Sequence, residues 1–167
     1  MQNTVLQCLQ LVGSGSDRRA LSQLLEPVVG TLNTQALTTA GLVIKAGTST
    51  LAKTGSAAFY ALVGGRLLTI AGSTDMPALT GLTITANSFN VACFFVNASG
   101  TVSVKFGTEG TSLGRVKFPD FPLGQALVGF LIITHSSTFT GGTTALDTAT
   151  TVYVSPLGAV DPTILFS

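Results

Sequence analysis

Phe89-Asn90-Val91-Ala92-Cys93-Phe94-Phe95-Val96, then Asn97-Ala98-Ser99-Gly100, then Thr101-Val102-Ser103-Val104-Lys105-Phe106 is the stretch whose reading decides the fold. The first segment is apolar on both alternating sets. Phe89, Val91, Cys93 and Phe95 form one set, and Ala92, Phe94 and Val96 the other. Successive side chains of a strand point to opposite faces, so this pattern predicts a strand buried on both. The four residues that follow are turn formers. The third segment alternates, with Val102, Val104 and Phe106 on one side and Thr101, Ser103 and Lys105 on the other, which predicts a strand with one wet face.

The same grammar continues outward. Residues 57–63, then Gly64-Gly65, then Arg66 to Ile70 read as a tight hairpin, because glycine at both central positions supplies the positive φ of a type I′ turn. Gln125 to Thr134 is again apolar on both faces. Thr150 to Val154 is a last strand, stopped at Pro156. Residues 107–124 carry Gly107, Gly110, Gly114, Pro119, Pro122 and Gly124, which break any regular element. Abundant threonine and 19 glycines, with no tryptophan, fit strands and turns. The fold class expected is therefore all-β, an antiparallel sandwich or jelly-roll-like domain over 47–167.

Residues 1–46 read differently, as an extended N-terminal arm. They hold one short helix, Asp17 to Leu25, with Ser16 as N-cap and Pro27 as its stop. Leu21, Leu24 and Leu25 make an apolar stripe beside the basic pair Arg18 and Arg19, and these five residues are the candidate partner-binding set. The tail segment Ile164-Leu165-Phe166 is apolar and is costly to leave exposed unless it docks.

Charge bounds the function. Only 9% of residues are Asp, Glu, Lys or Arg, against about 25% in ordinary globular domains, and residues 76–104 carry none. The formal net charge is +1. There is no basic stripe for a nucleic acid and no apolar run long enough for a membrane-spanning helix. So little charge permits close packing of like subunits. With the doubly apolar strands, it leads us to expect an oligomer, a homotrimer first.

Chemistry-bearing motifs are sparse. His135 is the only histidine and sits at a strand end. Cys8 and Cys93 are far apart, and Cys93 lies in an apolar run, where a free thiol packs as a small hydrophobe. Gly107-Thr108-Glu109-Gly110-Thr111-Ser112-Leu113-Gly114 has the look of a phosphate cradle. It lacks the terminal Gly-Lys-Ser/Thr and reads as a wide turn. The acids are scattered. No catalytic residue, cofactor site or metal set is expected. Asn97-Ala98-Ser99 matches a glycosylation sequon, a triplet that arises often by chance.

From about Ala46 onward the chain resembles small virion proteins of tailed bacteriophages. The resemblance rests on Gly47-Thr48-Ser49 with the Phe59-Tyr60 hairpin, Asp75-Met76-Pro77-Ala78-Leu79, Gly107-Thr108-Glu109-Gly110 leading to Lys117-Phe118-Pro119, Val128 to Ile133, and Gly141 to Asp147. It implies a capsid-decorating (cement) or head-fibre protein, β-rich and often trimeric, made in the bacterial cytoplasm and located on the virion. The major capsid protein is then the expected partner. A head- or tail-fibre module binding a host receptor or glycan is the alternative. The lack of tryptophan, with Tyr60 and Tyr153 the only tyrosines, speaks against it.

Overall fold

The computed structural model describes residues 15–159, with the backbone alone for residues 15–20, Leu24, Pro27 and Thr31. Cys8 and the segment Ile164–Phe166 lie outside the described residues. Among the described residues one α-helix, α1 (Gly15–Leu32), precedes eleven strands. These are β1 (Gln35–Ala36), β2 (Val43–Ile44), β3 (Ala52–Lys53), β4 (Phe59–Val63), β5 (Arg66–Ile70), β6 (Thr83–Ile84), β7 (Phe89–Val96), β8 (Val102–Phe106), β9 (Ala126–Thr134), β10 (Phe139–Thr140) and β11 (Thr150–Val154).

Every strand pair is antiparallel, and the two main sheets, β1-β4-β5 and β11-β9-β7-β8, face each other as a sandwich. Two small ribbons, β2-β3 and β6-β10, accompany them. The inter-sheet core joins Phe59, Ala61, Val63, Leu68 and Ile70 of the first sheet to Ala92, Phe94, Val96, Leu131 and Ile133 of the second. Burying side chains of this size contributes roughly 1.5–3 kcal/mol each. The Gly64-Gly65 hairpin forms with φ of 58° and 78°, and Val63 pairs with Arg66.

β7 is buried on both faces, as its pattern predicts. Its second face is covered by residues 107–124. Val116, Phe118 and Phe121 pack on Val91, Cys93, Phe95 and Phe130. Phe121 meets Phe95 edge-to-face at 5.1 Å, and Phe118 meets Phe130 at 5.0 Å. The doubly apolar strands are thus satisfied within one chain and no longer argue for self-association.

Two sequence expectations change. First, α1 does not stop at Pro27. Proline removes one i→i−4 bond, a cost of about 3 kcal/mol in a helix interior. The backbone nevertheless resumes its helical course to Leu32 and is closed by Asn33 N–H donating to Val29 O at 2.9 Å. Ser16 also lies inside the helix rather than capping it.

Second, the stretch from Gln35 to Ala46, expected within the arm, belongs to the β body. β1 pairs with β4, β2 pairs with β3, and Ala36, Ala40 and Leu42 are buried in the core. The Leu42 N–H donates to Ser155 Oγ at 2.9 Å. The segment lacks a visible period because its strands are two residues long.

Candidate interaction surface

The five candidate residues all fall on α1. Leu21 and Leu25 are half-buried, while the side chains of Arg18, Arg19 and Leu24 lie outside the described ones. The helix carries the apolar set further than expected. Val28 is 54% exposed, Leu32 54% and Val29 37%. Positions 21, 25, 28 and 32 follow the alternating spacing of four and three that lines residues along one helix face. Val28, Val29 and Leu32 lie beyond Pro27, where the sequence predicts the helix to end. Their continuation of the leucine spacing was the available signal.

The C-terminal end of α1 is tied to the first sheet. The Gly65 N–H donates to Asn33 O at 2.9 Å, and Gln35 Nε2 donates to Leu32 O at 3.1 Å. That sheet also has an open face. Along β4 and β5 the inward positions are buried and the outward ones are not. Leu62 stands opposite Leu67, and the Leu37 N–H donates to Tyr60 O. Leu37, Tyr60 and Leu67 are 45%, 39% and 59% exposed, which makes a contiguous apolar patch.

The candidate chemical groups have local structural partners. Nδ1 of His135 lies 2.9 Å from Ser137 Oγ and accepts from the Ser137 N–H at 3.1 Å. This closes a turn, and no carboxylate bonds the imidazole among the described residues. Cys93 is fully buried, and desolvation pushes its thiol far above its ordinary value. Glu109 accepts the Thr85 N–H at 3.0 Å, and that backbone bond leads in holding its carboxyl below the usual range. The glycine-rich loop that carries Glu109 is pinned to its neighbours. Thr108 and Lys117 form a bridge, as do Phe89 and Gly110, and a Cβ on Gly107 would lie 2.3 Å from Lys117 O.

Among the described residues no three His, Cys, Asp or Glu side chains are grouped to hold a metal ion. Among the same residues no helix is long and apolar enough to cross a membrane. No family model, curated protein or solved structure matches the chain.

Proposed function

We propose that this chain is a structural protein of a bacteriophage virion, a decoration (cement) protein that binds the outer surface of the capsid as a homotrimer. The observation that carries the reading is α1. It is an amphipathic helix standing ahead of a β-sandwich, with Val28 and Leu32 uncovered. A helix with an interior proline and Gly30 is poorly supported by its own propensity, so burying its apolar face on another surface is what would hold it. Leu21, Leu24, Leu25, Val28, Val29 and Leu32 are its proposed contacts with the major capsid protein. Arg18 and Arg19 add a salt-sensitive component at its N-terminal end. The sparse charge of the chain lets copies sit close together on a lattice.

Antibody labelling of intact phage particles, viewed by electron microscopy, tests the reading. Regular labelling over the head supports it. Labelling confined to fibres or the tail tip would establish the receptor-binding alternative instead, and unlabelled particles would refute both.

A further inference from the structure

The β1-β4-β5 sheet ends on β5, and that edge is open. The two-residue turn makes Val63 and Arg66 the first hydrogen-bonded pair of the hairpin, and bonded and non-bonded pairs alternate from there. Ala61 with Leu68 and Phe59 with Ile70 are bonded pairs; Tyr60 with Thr69 and Leu62 with Leu67 are not. The backbone of Tyr60 agrees with this phase. It turns to β1, its O accepting from the Leu37 N–H at 2.9 Å and its N–H donating to Thr38 Oγ1 at 2.8 Å. The N–H and C=O of Leu67 and Thr69 therefore point away from β4, and among the described residues nothing bonds them. Such an edge is ordinarily blunted by lysine, proline or a bulge. β5 has none of these. Its one charged side chain, Arg66, is drawn aside, with Nη1 donating to Ala98 O at 3.4 Å.

We infer that β5 pairs antiparallel with β5 of a second copy, about a two-fold axis through Leu68. Leu67 and Thr69 flank Leu68 symmetrically, so the edge is its own complement. Leu67 of each copy meets Thr69 of the other, and each of these pairs exchanges both backbone bonds. Arg66 then falls opposite Ile70, and the two arginines stand about 13 Å apart, beyond the screening length of about 10 Å at 0.1 M salt. No like charges oppose each other across the seam. The outward face of the joined sheets makes one apolar surface from Leu37, Tyr60 and Leu67 of both copies, which are 45%, 39% and 59% exposed in the single chain. This symmetry commits the edge to a second copy rather than to a foreign strand. A five-residue edge buries far less than the roughly 800 Å² per partner of a stable complex, so the pair is weak in dilute chain and fills as copies are crowded. It is a two-fold contact, separate from the three-fold assembly proposed above.

The test uses full-length chains L67C and T69C in a Cys8→Ser background, Cys93 being buried. Both substitutions are at exposed positions. Mixed in equal amounts at high concentration and oxidised, the two chains should give the unlike L67C–T69C dimer several-fold above either like dimer. Paired positions lie about 5.5 Å apart at Cα and like positions about 9 Å, past the roughly 7 Å limit of a disulfide. In the unsubstituted chain, hydrogen exchange of the Leu67 and Thr69 amides should slow as concentration rises. The Leu68 amide, bonded within its own hairpin, should not change. Like and unlike dimers in equal yield, no dimer, or exchange at Leu67 and Thr69 independent of concentration would each overturn the inference, and none of these results bears on attachment through α1.

Discussion

Phe94 of β7 stands directly across the sheet from Gly129 of β9, yet its neighbour Phe95 faces Leu127, so Val128 is an extra residue. This bulge reverses the parity of β9. Ala126 and Val128 point into the inter-sheet core and Leu127 away from it. Past Gly129, Leu131 and Ile133 point in, while Phe130 and Ile132 point away. One inserted residue flips every later side chain, which is how a strand can serve both layers out of phase.

Gly129 itself is tightly enclosed. A Cβ there would lie 2.5 Å from Val154 O and 2.6 Å from Leu42 Cδ1. Gly129→Ala is expected to destabilise the protein by about 1–3 kcal/mol, the usual cost of overpacking. Urea unfolding measures it, and a loss smaller than about 0.5 kcal/mol would show that the bulge yields freely.

Phe95 sits under the 107–124 cover against Phe121. Phe95→Ala is expected to cost roughly 3–5 kcal/mol. Thr101→Ala, at an exposed position just before β8, should change stability by no more than about 0.5 kcal/mol. Equal thermal shifts for the two would mean that the cover does not pack as described.

The legible part of this fold was the part written in period two. The set Phe89, Val91, Cys93 and Phe95 lies on one side of β7 and Ala92, Phe94 and Val96 on the other, as their alternation implies. What covers the first set was not legible, because Val116, Phe118 and Phe121 lie on irregular backbone whose path depends on tertiary contact. The bulge at Val128 was equally hidden, since a run apolar at every position looks the same in either register. Gly129 inside that run was the one hint. On the surface side, Leu21 and Leu25 are legible as a stripe, whereas Val28 and Leu32 lie beyond Pro27, a residue that ordinarily stops a helix and here does not.

Tyr153 gives a spectroscopic check of the β11 edge. Burial first, and the negative charge of Asp147 second, raise its phenol above the ordinary value of 10.0. In a Tyr60→Phe variant Tyr153 is the only tyrosine, so the absorbance change of phenolate formation reports it alone. The midpoint should lie above 10.0 in the folded protein. Because the folded pKa is raised, the stability linked to the neutral phenol is whole below the unfolded value and is lost as pH rises through the folded one. Asp147→Asn should move the midpoint down. An unmoved midpoint would leave burial as the sole cause.

The helix yields the prediction closest to function. Val28 and Leu32 are exposed on α1, so replacing both by aspartate removes no core contact. Surface changes of this kind alter stability by about 0.5 kcal/mol or less, worth roughly 2 °C in a domain of this size. The double variant Val28→Asp, Leu32→Asp should therefore melt with the parent chain while failing to rebind particles stripped of this protein. Glu26→Gln, on the opposite side of the helix, should rebind normally. A deletion of residues 1–32 should behave like the double variant. A longer deletion through Ala40 should unfold the body, because it removes β1 with the buried residues Ala36 and Ala40. The contrast separates attachment from folding. If the aspartate variant still decorates particles at full occupancy, α1 is not the attachment element.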